Sequence, residues 1–266
     1  FYEQKNDLKK AYIFYKKSLE VNENYFSAWK SIANLYYIAK DWENALEYYN
    51  YLIKLDSSKH EFFCRLGDIN NALKNYSEAF KMYHKALFLN PNEKVYELKM
   101  ANSLFLCNKA DEAINSYKSI INRYKENIEA KYQLGVVYYK IGKMNEALNT
   151  FEDAREFNPF NEDILSCLGS LYQEIGNIDK SIEIYNRLEE INPSSGVVLH
   201  NLACAYYKKG EFKIAKGKLE VLIELGFGGT ESYILLGLIY EKEKSYEEAL
   251  KHYKEVIKFD PTYLPT

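Results

Sequence analysis

Residues 26–59 read FSAWKSIANLYYIAKDWENALEYYNYLIKLDSSK, and the rest of the chain repeats this arrangement. Within the stretch, Ile32 and Ala33 place a large apolar residue beside a small one, and Ala45 precedes Tyr49 by about one helical turn. Residues three or four positions apart share one face of a helix. The stretch therefore predicts two helices that approach each other closely through small residues.

The interval between copies is 34 residues, and no insertion interrupts it. A period of this length is typical of proteins in which each unit packs mainly on its neighbours. The second helix of each unit carries a small residue and, four positions later, a large one. The small residues are Ala11, Ala45, Ala79, Ala113, Ala147, Ser181, Ala215 and Ala249, and the large ones are Tyr15, Tyr49, Tyr83, Tyr117, Phe151, Tyr185, Leu219 and Tyr253.

Turn-forming residues separate the helices. Glycine ends a helix in the left-handed conformation, short polar side chains cap the next helix, and proline cannot continue a helix. We expect left-handed ends at Gly142, Gly176 and Gly210, caps at Asp41, Asn75, Asn177 and Ser245, and unit ends near Pro91, Pro159, Pro193 and Pro261.

The period, the pairing of large and small residues and the closing proline resemble the tetratricopeptide repeat, as in Trp29, Ile32, Ala33 and Tyr36. The resemblance implies an all-α fold, a right-handed α-solenoid of antiparallel helix pairs that forms a tetratricopeptide superhelix with a concave groove. We expect one solenoid domain with a partial unit at 1–25, full units at 26–59, 60–93, 94–127, 128–161, 162–195, 196–229 and 230–263, and a tail at 264–266.

The unit at 196–229 diverges from the others. Gly226-Phe227-Gly228-Gly229 stands where other units carry proline or a polar turn, and Leu219 replaces the ring. We expect a different bend before the last unit and the earliest local opening near residues 211–229.

Composition excludes several classes of protein. Lys and Arg number 35 against 38 Asp and Glu, a net charge of −3 without the basic excess of nucleic-acid-binding proteins. The longest apolar stretch, Tyr233–Tyr240, is much shorter than the roughly 20 residues of a membrane span. The four cysteines are widely separated, which favours a reducing, cytoplasmic compartment over a disulfide-stapled secreted domain.

The residues predict no enzyme, metal or cofactor. No nucleophile elbow, zinc-protease motif or phosphate-binding loop occurs in the chain. Cys167, His200 and Cys204 are the best metal candidates, and the resemblance places all three on the groove side. No fourth ligand is evident, and free cysteine commonly serves as a small apolar residue, so we expect packing rather than zinc binding.

The resemblance implies that ligands lie along the first helix of each unit. Arg65 and Lys99 are suited to a carboxylate, and Tyr37, Phe105 and Tyr139 supply apolar contact area. We therefore expect a protein partner, bound through an extended or helical segment with acidic residues. The expected groove residues are Lys30, Asn34, Tyr37, Arg65, Asp68, Lys99, Asn102, Phe105, Gln133, Tyr139 and Asn201.

Two specialised ligand sites of the family fit poorly. Lys30 and Asn34 match the first members of the clamp that holds chaperone C-termini, but Arg65, Val95 and Lys99 depart from it. The asparagine ladder of some glycosylating transferases would need Asn at successive sixth positions of the units, and Asn201 alone supplies one.

Two alternatives to a scaffold remain open at this point. The repeats could present substrates to a catalytic domain of a larger enzyme, such as a tetratricopeptide-containing glycosyltransferase. Copies of the chain could also stack through Ile234, Leu235 and Leu238, if these residues are exposed.

Overall fold

The computed structural model describes residues 8–22 and 25–259. These residues form fifteen α-helices and no strand, which confirms the predicted all-helical class. None of these helices is long and apolar enough to cross a membrane. The helices are α1 Leu8–Val21, α2 Phe26–Ile38, α3 Trp42–Leu55, α4 His60–Ala72, α5 Tyr76–Leu89, α6 Lys94–Leu106, α7 Ala110–Arg123, α8 Ile128–Lys140, α9 Met144–Phe157, α10 Glu162–Glu174, α11 Ile178–Ile191, α12 Gly196–Lys209, α13 Phe212–Glu224, α14 Thr230–Lys242 and α15 Tyr246–Phe259.

The chain divides into two compact units, Phe1–Val137 and Tyr138–Thr266. In the first, consecutive helices pack on each other from α1 to α7. In the second, the same neighbour packing runs from α9 to α15. Short turns between consecutive helices make the pairs antiparallel, as the repeat predicts.

Close approach of the paired helices is confirmed at the small residues. A Cβ atom added to Gly169 would lie 2.7 Å from Cζ of Tyr185, so the ring occupies the space of a missing side chain. Gly67 meets the ring of Tyr83 in the same way. Tyr49, Tyr83, Tyr117, Phe151 and Tyr185 of this series are buried, and Tyr185 is 1% exposed.

The even-numbered helices α2 to α14 are the first helices of the 34-residue repeats. Each of them is followed by a residue in the left-handed conformation, and these residues are 34 positions apart. The amide of the following residue donates to the carbonyl five positions back, as from Asn177 to Tyr172 at 2.8 Å. This hydrogen bond defines a Schellman end. The predicted left-handed ends are confirmed at Gly142, Gly176 and Gly210. In the other repeats the equivalent left-handed residue is not glycine but Lys40, Lys74, Asn108 or Lys244.

The predicted caps are confirmed in part. Asp41 accepts a hydrogen bond from the amide of Asn44, and Asn177 accepts one from the amide of Lys180. Asn75 occupies the cap position of α5, but its side chain makes no capping hydrogen bond. Ser245 directly precedes α15. Pro91, Pro159 and Pro193 lie in turns between helices, whereas Pro261 lies outside the described residues.

The exposure considered for Ile234, Leu235 and Leu238 in the last repeat is not observed. Leu235 is 8% exposed and belongs to the core of the second unit with Leu236 and Ile239. Ile234 and Leu238 are partly buried rather than exposed. The expected apolar surface for self-association is therefore largely occupied by packing within the unit.

Hydroxyl groups of the buried tyrosines reach the residue beside the small one. Tyr49 donates to Oδ1 of Asn34 at 2.6 Å, and the Tyr185 hydroxyl lies 2.8 Å from Oγ of Ser170. In both cases the partner of the tyrosine is the ninth residue of a 34-residue repeat, and the tyrosine follows it fifteen positions later in the same repeat. Tyr117 is the exception, because its buried hydroxyl has no hydrogen-bond partner.

The left-handed ends give a first prediction. Gly176→Ala should lower the free energy of unfolding by about 1 kcal/mol, because a non-glycine residue in this conformation costs about 1–2 kcal/mol. The added Cβ would contact nothing within 4 Å, so backbone strain alone acts. Gly217→Ala in α13 also meets nothing within 4 Å and should stabilise by up to about 1 kcal/mol. Urea unfolding followed by circular dichroism measures both, and changes of equal sign would contradict the assignment.

The tyrosine pairing gives a second prediction. Tyr117→Phe should raise the free energy of unfolding by about 1 kcal/mol, because it removes a buried hydroxyl without a partner. Tyr49→Phe should lower it by about 1 kcal/mol, because the Asn34 carbonyl loses its donor. Both rings are 1% exposed, which makes the pair well matched. A loss of stability in Tyr117→Phe, measured by urea and thermal unfolding, would show that the hydroxyl has a partner.

Candidate functional site

A polar cluster in the first unit joins three first helices through the carboxylate of Asp68 on α4. Tyr37 of α2 donates to Oδ2 of Asp68 at 3.1 Å, and Tyr83 of α5 donates to Oδ1 at 2.8 Å. The Lys99 ammonium of α6 donates a short hydrogen bond to Oδ1. We call Tyr37, Arg65, Asp68, Tyr83 and Lys99 the Asp68 cluster.

Arg65 is the most exposed charged member of this cluster. Its guanidinium lies 4.5 Å from the ring centre of Tyr37 and 4.0 Å from Oδ2 of Asp68. The side chain of Arg65 is 46% exposed, against 31% for Lys99 and 17% for Asp68. Stacking on an aromatic face orients a guanidinium without using its fork of N–H donors. Arg65 is therefore held against Tyr37 while nearly half of its side chain stays exposed.

The two phenols stay neutral and the two cations stay charged near neutral pH. Burial, and then the charge of Asp68, raise the pKa of Tyr37, and the same causes raise the pKa of Tyr83. Both phenols thus remain hydrogen-bond donors. Burial opposes the charge of Lys99, but its hydrogen bond and attraction to Asp68 outweigh this, so the pKa of Lys99 is raised. For Arg65, burial likewise opposes the charge, and contact with Tyr37 outweighs it, so the pKa of Arg65 is raised.

Lys99 is less available than its sequence position indicates. Its ammonium is paired with Asp68 and lies 3.6 Å from Sγ of Cys64. Burial, and then the charge of Asp68, raise the pKa of the Cys64 thiol, so this cysteine is a poor nucleophile. The cluster therefore offers a ligand one cation, Arg65. The charge of the other cation, Lys99, is paired with the carboxylate of Asp68.

Of the other expected groove residues in the first unit, Asn34 and Gln133 make hydrogen bonds within the protein. Lys30 is exposed on α2, and Asn102 and Phe105 are partly buried on α6. Asn34 is used within its own unit, where it accepts from Tyr49. Gln133 of α8 donates to Oε1 of Glu129 at 2.8 Å, one helical turn away.

Two expected groove residues belong to the second unit. Tyr139 donates to Oε1 of Glu174 at 2.5 Å. Asn201 lines a separate cavity at the start of α12. The structure thus brings Tyr37, Arg65, Asp68 and Lys99 into one site and leaves Tyr139 and Asn201 outside it.

Cys167, His200 and Cys204, the candidate metal ligands, also lie in the second unit. Sγ of Cys204 lies 3.5 Å from Nε2 of His200. Within residues 8–22 and 25–259, no three His, Cys, Asp or Glu side chains are placed to hold a metal ion. Burial raises the pKa of the Cys204 thiol, which disfavours the thiolate that a metal requires.

Tyr83 is the member of the cluster that sequence reasoning missed. Its place in the 34-residue series predicts a packing role, and its ring does pack on Gly67. The signal that could have revealed its second role is the polar residue fifteen positions earlier, Asp68. The same spacing joins Asn34 to Tyr49, so the pairing is readable from the repeats once the geometry is known.

Family comparisons cover most of the chain. Residues 106–218 match the family described as "Psidin, N-terminal TPR repeats region". Residues 1–25, 31–94 and 230–263 each match families described as "Tetratricopeptide repeat".

Individual proteins share parts of the sequence and fold. "BBSome complex member BBS4" from Bos taurus is 29% identical over 113 residues, which are 42% of this chain and 22% of the relative. The chain thus spans about a fifth of that relative. The C-terminal part of a TPR repeat-containing protein from Cytophaga hutchinsonii has a TM-score of 0.72 at 19% identity, over 87% of this chain and 95% of its own.

A second solved structure, YrrB, is described as "a TPR protein with an unusual peptide-binding site". It has a TM-score of 0.50 at 24% identity and covers 70% of this chain and 96% of its own. The uninterrupted 34-residue period, the helix pairs locked by small residues and the four family matches lead to one conclusion: this chain belongs to the tetratricopeptide repeat family.

Proposed function

We propose that this chain is a non-enzymatic interaction scaffold whose first unit binds an acidic peptide segment of a partner protein at Arg65. The observation that carries the proposal is the oriented, half-exposed guanidinium on the ring of Tyr37. A guanidinium binds a carboxylate through two parallel N–H donors, which makes such contacts strong and directional.

Surrounding residues support a peptide rather than a small molecule. Tyr37 lies on α2 against the guanidinium of Arg65, and Phe105 lies on α6, the helix that also carries Lys99; both rings are partly buried and so present part of their surface. Lys30 adds an exposed positive charge on α2. Aromatic side chains with an arginine are typical of the energetically dominant parts of protein interfaces.

The comparisons are consistent with this role. BBS4 is by its name a member of a protein complex, the BBSome, and YrrB is described as having a peptide-binding site. By analogy, we propose that the present chain also works within a protein assembly. The partner is defined by its chemistry, an extended or helical segment with a carboxylate side chain.

Arg65→Ala should weaken binding of an acidic peptide by about tenfold, because a hydrogen bond to a charged group contributes about 1.5–3 kcal/mol. The probe is an end-blocked, fluorescein-labelled peptide that alternates glutamate with leucine, measured by fluorescence anisotropy. A peptide with glutamine in place of glutamate serves as the uncharged comparison.

Lys54→Ala is the matched control, since Lys54 is an exposed cation on α3 outside the Asp68 cluster. It should leave binding unchanged. Equal binding of both peptides to the native chain, or an Arg65→Ala variant that binds as tightly as the native chain, would refute the proposed site.

Asp68→Asn should strengthen binding of the glutamate peptide by about two- to tenfold. The substitution removes a carboxylate that competes for Arg65 and Lys99, and releases the Lys99 ammonium to the ligand. Asparagine should still accept from Tyr83, as Asn34 accepts from Tyr49. Anisotropy at two salt concentrations measures the effect, which should be larger at low salt. Weaker binding in Asp68→Asn would mean instead that Asp68 holds Arg65 in its binding position.

A further inference from the structure

The junction between α13 and α14 differs from the turns that follow α3, α5, α7, α9 and α11. Helix α13 ends at a left-handed glycine, Gly226, and the amide of Phe227 donates to the carbonyl of Leu222 at 3.0 Å. This is the Schellman end that first helices use elsewhere in the chain. The equivalent helix α11 ends instead at Asn192 with φ of −139°. The glycine-rich segment thus gives the end of α13 a backbone conformation that the end of α11 does not have.

A cavity of about 620 Å³ opens beside this junction, entirely within the second unit. Its volume lies in the range of about 300–1,000 Å³ that is typical of ligand pockets. We call it the α13–α14 cavity. It is lined by Ser195, Gly196, Val197, His200, Asn201, Leu222, Phe227, Gly229, Thr230, Glu231 and Ser232.

The apolar wall of the cavity faces solvent. Val197 is 69% exposed and Phe227 is 57% exposed, and the buried Leu222 also lines the cavity. A Cβ atom added to Gly196 would lie 2.9 Å from Cγ of Phe227, so the ring packs in the space that a larger side chain at position 196 would fill. Two exposed apolar side chains beside a cavity form a place where another apolar side chain gains contact area.

The charge at the rim is negative. Glu231 lies in the first turn of α14, where the helix dipole favours a carboxylate. Its side chain is 86% exposed, and its Oε2 lies 3.7 Å from Nε2 of His200. None of the eleven lining residues is lysine or arginine. The rim therefore attracts a cation, the opposite preference to that of the Asp68 cluster.

We propose that the α13–α14 cavity binds a peptide segment in which an apolar side chain is followed by lysine or arginine. The apolar side chain enters between Val197 and Phe227, and the cation lies against Glu231. The volume exceeds that of one side chain and accommodates such a pair. The assignment is independent of peptide binding at Arg65, because the two sites share no residue.

The test uses two end-blocked dipeptides, acetyl-Trp-Arg-amide and acetyl-Trp-Glu-amide. Each is titrated into the ¹⁵N-labelled, deuterated chain, and amide shifts are followed by NMR. The arginine probe should shift the amides of Val197, His200 and residues 230–232, with an affinity about fivefold above that of the glutamate probe.

Three variants make the result specific. Glu231→Gln should weaken the arginine probe about two- to fivefold, as expected for an exposed ion pair, and abolish the preference between probes. Glu241→Gln, an exposed position on the same helix, should change neither affinity. Gly196→Ala should displace Phe227 and weaken both probes equally while it keeps the charge preference.

Several outcomes would overturn the proposal. Shifts confined to the first unit would place the probes at another site. Equal affinity for both probes, or a preference that survives Glu231→Gln, would remove the role of charge. Concentration-dependent shifts of the same amides without any probe would identify a second copy of the chain as the occupant.

Discussion

Contact between a small residue of one helix and a buried ring of the next is the constraint on which the rest of this structure depends. Gly67 and Gly169 leave space that the rings of Tyr83 and Tyr185 fill, and this sets the distance between the paired helices. A ring seated there carries its hydroxyl to the residue beside the small one. Packing and polar chemistry at the ninth position are therefore not independent in these two repeats.

This dependence determines which groups remain for a partner. In the unit of Tyr49, a neutral asparagine satisfies the phenol. In the unit of Tyr83, the acceptor is the carboxylate of Asp68, which brings a negative charge that also draws in Lys99. Arg65 lies at a longer distance from the same carboxylate and keeps its exposure. One change of acceptor, from an amide to a carboxylate, thus gathers Lys99 and Arg65 around what is elsewhere a structural hydrogen bond, and it sets how much of their charge is left for a partner.

The 34-residue period predicts the helices and the packing series, because both depend on residues within a unit. It also predicts three of the left-handed ends, at Gly142, Gly176 and Gly210. The end at Lys74 was not predictable from residue preference, because Schellman hydrogen bonds hold a lysine in a conformation that costs about 1–2 kcal/mol. The bond between Lys99 and Asp68 depends on the angle between helices of successive units, and no spacing within one unit encodes that angle.

Departures from the repeat carry the distinctive chemistry of the chain. Where the pattern holds, the polar atoms are consumed within the unit, as in the pair of Ser170 and Tyr185. Where it breaks, groups remain outside this pairing: Arg65 stays exposed beside the shared carboxylate of Asp68, and the early end of α13 at Gly226 leaves Phe227 beside an open cavity. A repeat protein conserves its fold through the shared positions, since each unit must fit its neighbours. Its selectivity for partners must then arise at positions that the fit between units does not fix.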